Sequence, residues 1–372
     1  MEIMVKLFGD TYRNKRVFIT GNTGFKGSWL TEFLLILGAE IKGYSIDIPS
    51  EPSIYKENKL EEKIQQVWGD VRNRELLEKS ILEFKPDFIF HLAAQALVKK
   101  SYEDPASTFE TNVMGTVNMM DAARKITHSC KIVLITSDKC YENVEWTWGY
   151  RENDRLGGKD PYSASKGAAE LAIHAYIQSY FKKLPHLKVA SARAGNVIGG
   201  GDWAADRIVP DCFRSWMKNE AVVIRSPKAT RPWQHVLEPL SGYLRLGQIL
   251  CTSEICNGEA YNFGPASEQS KSVLELLQVL SSYWENGNLP AFFDIQENPN
   301  MHEAGLLKLS CDKSLHNLDW LPTLNYDETA KLTATWYTNF YQEKQFSSHE
   351  ITIKHIEKYI EIGKSRKRSW TN

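Results

Sequence analysis

Arg16-Val17-Phe18-Ile19-Thr20-Gly21-Asn22-Thr23-Gly24-Phe25-Lys26-Gly27 reads as a buried strand that runs straight into a turn with a glycine at every third position. Beyond the turn, Phe25, Trp29, Phe33 and Leu37 recur every four residues, the spacing of one helix face. Glycines at such a corner permit a tight turn and close backbone approach. The helix that follows offers unpaired N–H groups and the positive end of its dipole to a pyrophosphate. A glycine motif alone is weak evidence, but its place after a strand and before a helix makes it a dinucleotide fingerprint. Asp47, twenty residues beyond Gly27, stands at the end of the second strand, where an acid accepts from the adenosine ribose hydroxyls. No Arg follows closely to receive a 2′-phosphate, so NAD is expected over NADP. The alternative for Asp47 is a turn residue ahead of Pro49. Asp70, after the third strand, suits either the adenine amino group or a helix cap.

Outward from this corner, short apolar runs alternate with segments of helical period, the pattern of βαβ units around a parallel sheet. Strands are expected at Arg16–Thr20, Ile41–Ile46, Gln66–Trp68, Asp87–Leu92, Lys131–Thr136 and Leu187–Ser191. Further helices are expected at Asn73–Phe84, over much of Ser107–Ile126, and at Tyr162–Tyr180. The expected fold class is α/β: a Rossmann-type doubly wound parallel sheet with a smaller mixed α/β C-terminal substrate lobe. The alternation loosens after about residue 195, at the glycines Gly199, Gly200 and Gly201 and the prolines Pro210, Pro227, Pro232 and Pro239. The expected division is therefore a dinucleotide domain over 14–195, with returning segments near 235–264, a substrate lobe from 196–234 and 265–345, and a basic tail over 346–372. In that tail Ile353, Ile356 and Ile360 lie at helical spacing and Lys364, Arg366, Lys367 and Arg368 follow, which reads as a solvated terminal helix.

Composition excludes several classes. The 372 residues carry a formal charge of −1, so no global field favours nucleic acid or a membrane surface. With 42% hydrophobic and 24% charged residues, the chain has the make-up of a soluble globular protein. No run approaches a membrane span, and the start lacks the apolar centre of a signal peptide, so a cytoplasmic protein is expected. The 6 Cys include no CxxC pair and are too sparse for a disulfide scaffold or the usual zinc spacings, which points to reduced thiols; no metal is expected. The chain is rich in aromatics, with 11 Trp, 16 Tyr and 15 Phe, for which core packing is the default account.

Tyr162 and Lys166 stand four residues apart, on one face of one helix. A nearby ammonium favours phenolate and draws a tyrosine toward service as a base. Such pairs are common in helices; this one gains meaning from Ser137, at the end of the fifth strand, the edge where open α/β sheets bind ligands.

The glycine turn, Asn112, Ser137 and the Tyr162/Lys166 pair together resemble the extended short-chain dehydrogenase/reductases that act on nucleotide sugars, over roughly residues 14–340. Finer strings, Thr23–Trp29, Thr136–Asn143, Arg193–Trp203 and Arg231–His235, are similar to those of the CDP-glucose 4,6-dehydratase branch. The resemblance implies NAD as cofactor, CDP-glucose as substrate, a homodimer packed through the third and fourth helices, and a place in deoxysugar biosynthesis. It implies a cofactor site of Gly21, Thr23, Gly24, Phe25, Lys26, Gly27, Asp47, Asp70, Val71, Leu92, Ala93 and Ala94 with Tyr162 and Lys166. The substrate site it implies is Gln95, Asn112, Asn196, Arg207, Arg231 and His235. Arg231 is a fork donor suited to a pyrophosphate, whereas His235 is equally read as packed. The pair Asp138 and Lys139 completes the catalytic set of Ser137, Asp138, Lys139, Tyr162 and Lys166. An epimerase needs no acid and base beyond Ser, Tyr and Lys, but an elimination needs both. Where dTDP-glucose dehydratases carry Asp-Glu this chain has Asp138-Lys139, so Lys139 would have to lose its proton near neutrality to act as the base. The plainer alternative is that Lys139 only pairs with Asp138. UDP- or dTDP-sugar dehydratases, a 4-epimerase, and a dinucleotide-binding regulator without chemistry remain the competing readings.

Overall fold

A computed structural model describes residues 6–224, 226–266, 269–285, 293–295 and 306–372. Six strands follow in chain order: β1 (Arg16–Thr20), β2 (Glu40–Ser45), β3 (Gln65–Trp68), β4 (Phe88–His91), β5 (Cys130–Ile135) and β6 (Leu187–Ala194); β7 (Ala260–Phe263) returns much later. They form one seven-stranded sheet in the order β7-β6-β5-β4-β1-β2-β3, with every neighbouring pair parallel. Strands covered on both faces must be apolar throughout, and Phe88–His91 and Ile132–Ile135 are buried at every position. The chain leaves β1 toward β2 on one side and reaches β4 on the other. That reversal opens a crevice at the carboxyl ends of β1 and β4.

The main helices, in chain order, are α1 (Phe25–Ile36), α2 (Arg74–Phe84), α3 (Gly115–Ala123), α4 (Pro161–Ser179), α5 (Ile208–Met217), α6 (Leu237–Thr252), α7 (Val273–Glu285), α8 (Tyr326–Thr338) and α9 (Ser348–Ser365). Asp160 caps α4 by accepting from Ser163 N–H at 2.9 Å, with Pro161 as the first helical residue, the arrangement that starts helices best. The helix expected over Ser107–Ile126 is interrupted: Pro105–Phe109 and α3 are joined by a π-helical turn, Glu110–Met114.

The second lobe is built around aromatics. Phe213 stacks on Tyr337 at 4.2 Å between ring centroids, and Trp203 meets Trp336 edge-on at 5.5 Å. The glycine cluster serves this packing. A Cβ at Gly200 would fall inside the Trp336 indole, the Gly200 carbonyl accepts from Trp29 Nε1 at 2.9 Å, and Gly201 adopts φ +78°, a left-handed conformation natural to glycine. Trp216, Trp284, Trp320, Trp336 and Trp370 are all fully buried.

The terminal segment departs from the sequence expectation. It is helical, but not solvated: Ile351, Ile356, Tyr359, Ile360 and Trp370 are buried, and Trp370 stacks between Tyr359 and Phe8. The reason lies in α1, whose residues Gly27–Leu34 are all buried. One face meets the sheet and α9 packs against the helix as well, so its apolar residues exceed a single stripe. Two members of the basic cluster are spent internally: Arg366 forks onto Glu328 through two bonds of 2.8 Å and Arg368 donates to the Pro322 carbonyl at 2.6 Å.

Candidate active site

A cleft of about 990 Å³ runs along the carboxyl ends of the strands and is lined by the glycine turn, by Ser137–Lys139, by α4 and by the second lobe. At its cofactor end, Gly21 has φ +74°, and a Cβ at Gly27 would overlap the Gly21 carbonyl oxygen. The opening of α1 has no side-chain cap, with Gly24 in the N-cap position, so its first N–H groups have no protein side chain to satisfy them. A pyrophosphate fits that cradle. Gly21, Thr23, Gly24, Phe25, Lys26, Gly27, Asp47, Asp70, Val71, Leu92, Ala93 and Ala94 all line the cleft. Asp47 is exposed, two residues past the end of β2, and its carbonyl is held by Thr23 Oγ1 at 2.7 Å, leaving the carboxylate free to reach outward. The cap alternative for Asp70 does not hold: Asn73 caps α2, and Asp70 instead binds Arg72 at 2.7 Å.

At the other end, β5 delivers Ser137 to a 3₁₀ turn of Asp138–Cys140. Ser137 Oγ donates to Asp138 Oδ1 at 2.9 Å and accepts from Lys139 N–H at 3.2 Å. Asp138 is 2% exposed and its Oδ2 has no hydrogen-bond partner among the described residues. Burial raises its pKa against the opposing pull of Lys139, Ser137, Lys26 and Arg231, so the carboxyl is suited to hold a proton. Lys139 lies partly buried on the cleft wall; its charge acts on Asp138, but among the described residues no ion pair joins them. Tyr162 and Lys166 emerge from the first turns of α4, 9% and 6% exposed, with Lys166 Nζ 5.9 Å from the centre of the phenol ring. Burial, rather than the ammonium, sets the direction for Tyr162, pushing it up to about 12 against the hydrogen bond with Ser137 and the charge of Arg207. Burial likewise brings Lys166 down to about 8, opposed by Cys140 and Glu170.

The substrate-side expectations divide. Gln95, Asn196, Arg207 and Arg231 line the cleft; Arg207 is anchored to Asp202 at 2.9 Å, and Arg231 is 6% exposed with Nη1 donating to the Thr230 carbonyl at 2.8 Å. Asn112 and His235 do not belong with them. Asn112, buried in the π-turn, donates to the Gln95 carbonyl at 3.0 Å and to Ser165 Oγ at 2.8 Å, and accepts from Gln95 N–H at 2.8 Å. It is a strut between the β4 loop and α4, because its amide bonds are already made. His235 is fully buried against Trp29, edge-on at 5.8 Å, and burial lowers its pKa to about 3. Lys26 exceeds its expected role: its ammonium shares the neighbourhood of Asp138, Arg207 and Lys166 and is lowered to about 8, chiefly by enclosure. Only the Lys inside the glycine turn hinted at this.

A Rossmann-type sheet, a glycine-rich opening and a Ser137/Tyr162/Lys166 corner define an extended short-chain dehydrogenase/reductase. Residues 18–333 match the model of the GDP-mannose 4,6 dehydratase family, and the chain belongs to that family. It is 46% identical over 330 residues to CDP-glucose 4,6-dehydratase of Salmonella typhimurium, covering 88% of this chain and 91% of that protein. It is 25% identical to CDP-paratose 2-epimerase of Salmonella typhi, over 86% and 98% of the two chains. Among solved structures it is similar to UDP-glucose 4-epimerase of Thermus thermophilus in complex with NAD, with a TM-score of 0.73, 26% identity and coverage of 87% and 98%. It is also similar to an epimerase of Methanothermobacter thermautotrophicus, with a TM-score of 0.77, 25% identity and coverage of 91% and 96%.

Proposed function

We propose that the chain is an NAD-dependent hydro-lyase that converts CDP-glucose to CDP-4-dehydro-6-deoxyglucose in deoxysugar biosynthesis. The observation that carries the reaction type is Asp138: a buried carboxyl with an unpartnered oxygen, next to an unpaired-with-it Lys139, on the same wall as Tyr162. Redox chemistry at C4 employs Ser137, Tyr162 and Lys166 only. An extra acid and base beside the sugar serve an elimination. The cytidine base is supported by the 46% identity to the Salmonella typhimurium enzyme.

The Gly21–Gly27 turn and Asp47 would hold NAD, which when bound accepts hydride from C4 and returns it to C6. Tyr162 acts as the phenolate, which the Lys166 ammonium and the hydrogen bond with Ser137 favour against burial, and takes the C4 hydroxyl proton. The 4-ketone acidifies C5, Lys139 takes that proton, and Asp138 donates its own to the C6 hydroxyl as it leaves as water. Arg231 and Arg207 hold the pyrophosphate as fork donors, and Gln95 and Asn196 complete the sugar contacts. The division into a dinucleotide domain over 14–195, returning near 235–264, and a substrate lobe over 196–234 and 265–345 accords with this arrangement. A homodimer is supported by Tyr102, Phe109, Met114 and Leu171, exposed on the helices from Val98 to Ala123 and on α4; among the described residues no helix is long and apolar enough to cross a membrane, and the free cysteines suit a reducing cytoplasm.

Incubating the purified protein and NAD separately with CDP-, UDP- and dTDP-glucose, and reading the 4-keto-sugar chromophore in alkali, tests the proposal. Product from CDP-glucose alone is expected. An epimer without chromophore, or no turnover with any of the three, refutes it.

A further inference from the structure

Behind the reacting corner lies a second buried cluster that the chemistry above does not use. One turn beyond Lys166 on α4, Glu170 is 3% exposed. It accepts from Thr136 Oγ1, from Ser191 Oγ at 3.1 Å and from Arg193 Nη2 at 2.7 Å. Arg193, 4% exposed, turns its other nitrogen to the Tyr141 hydroxyl at 2.8 Å and the Glu152 carbonyl at 2.9 Å. Tyr141 then donates to Asn262 Oδ1 at 2.7 Å, and Asn262 Nδ2 to the Tyr150 carbonyl at 2.8 Å.

The members are placed tellingly. Thr136 precedes Ser137 directly, Tyr141 follows Asp138–Cys140 directly, Glu170 shares the helix of Tyr162 and Lys166, and Ser191, Arg193 and Asn262 belong to β6 and β7. The cluster therefore binds both ends of the Ser137–Cys140 turn to the helix that faces it. A one-residue slip of α4 on β5 and β6 would break these bonds and turn Tyr162 away from Ser137. We propose that Glu170 and Arg193 are a positioning pair for the reaction: they set the register of α4 against the Ser137–Lys139 turn and keep a fixed negative charge one helical turn behind Lys166. Neither residue lines the cleft, so each acts through Lys166 and Thr136 and not on the substrate.

The charge has work beyond register. The ionisable groups acting with Lys166 are Tyr162 and Glu170 on its own helix, Cys140 after β5, Lys26 on α1 and His91 on β4. Glu170 is a carboxylate held below its usual range by Arg193 and its hydrogen bonds despite burial, so it supplies a permanent negative charge that favours the ammonium. Without it, the ammonium gives up its proton at lower pH and ceases to assist the Tyr162 phenolate.

This inference rests on Lys166 as the ammonium beside the base, and its main test needs no substrate. In protein labelled with ¹⁵N-lysine, the Nζ resonance of Lys166, identified by its loss in K166R, is followed through pH. Glu170→Gln is expected to lower the midpoint by about one pH unit, while Glu170→Asp, which keeps the charge, returns it toward that of the parent. With CDP-glucose, E170Q is expected to lose kcat with little change in KM and to shift the alkaline limb of its pH profile down by the same amount. A folded E170Q with the parent's midpoint and limb, or an E170D no better than E170Q, overturns the pair's role. Should E170Q not fold, Thr136→Val removes one bond to Glu170 and leaves the charge: kcat should fall with the Lys166 midpoint unmoved, and an unaltered kcat overturns the proposal. An absence of any 4-keto product from the parent protein would refute the dehydratase reading instead, and the Nζ titration would still decide this one.

Discussion

Asp138, in the turn after β5, and Glu170, on α4 one turn beyond Lys166, are both buried carboxyls, and they are built in opposite ways. Glu170 has every oxygen engaged and an arginine in contact, and its pKa is lowered. Asp138 has one oxygen without a partner, and burial raises its pKa although four positive or donating neighbours oppose it. Folding alone favours the first design, since an unsatisfied buried oxygen costs free energy. The second persists where the missing partner is a reactant. The contrast separates the side that reacts from the side that holds it.

On that division, substitutions on the Asp138 side remove activity and leave stability, whereas those on the Glu170 side cost stability first and lower activity only through the position and charge of Lys166. The largest effect is expected for Tyr162→Phe. Loss of the C4 base should cut kcat by about 10³ or more, at the upper range for a positioned acid or base, with an unchanged thermal midpoint; near-parent turnover by this variant would undo the catalytic assignment. Lys139→Ala should follow at roughly 10²–10⁴, with a distinct signature: C4 oxidation survives, while water loss and deuterium uptake from solvent at C5 disappear. Deuterium uptake at the parent rate would move the C5 base elsewhere. Glu170→Ala should cost about 3–5 kcal/mol of stability by leaving Arg193 buried without its counter-ion, measured by denaturant unfolding. A loss below 1 kcal/mol would show that the cluster bears little of the fold. Gly27→Ala belongs to a third place, the cofactor end, where the added Cβ meets the Gly21 carbonyl oxygen. NAD affinity should fall at least tenfold in a calorimetric titration, because the turn must shift away from the pyrophosphate.

How much of this was legible beforehand follows the range of the signal. The glycine turn and Tyr162/Lys166 are local spacings that one helix or one turn interprets, and the apolar runs of β1, β4 and β5 announce strands buried on both faces; the observed strands lie within a few residues of those expected. Asn112 and His235 could not be assigned from the sequence because an amide or imidazole near a motif looks the same whether its bonds are made by ligand or by protein. The burial of α9 was hidden because its period is visible but its partner, the outer face of α1, is over three hundred residues away in the chain. Glu170 and Arg193 leave no local trace either. They are joined only once α4 and β6 are packed, and Gly200 likewise acquires a reason only when Trp336 arrives from α8.

The smallest expected effect is the most direct reading of the two carboxyls, because their stability contributions should run in opposite directions with pH. Asp138 has a folded-state pKa above that of the unfolded chain, so its favourable contribution is complete below the ordinary aspartate value of about 3.9 and is lost as pH rises through the folded value. Asp138→Asn cannot titrate and should gain stability relative to the parent as pH rises from the acid range toward neutrality. Glu170 has its folded-state pKa below the unfolded value, so its contribution is complete above the ordinary glutamate range and is lost as pH falls through the folded value. The deficit of Glu170→Gln should therefore be full at neutral pH and shrink in acid. Denaturant unfolding of the parent and both variants across that interval gives two difference curves. Opposite slopes are expected. Parallel curves would mean that Asp138, like Glu170, is held as a structural carboxylate, and would move the proton donor for C6 to another group on the cleft wall.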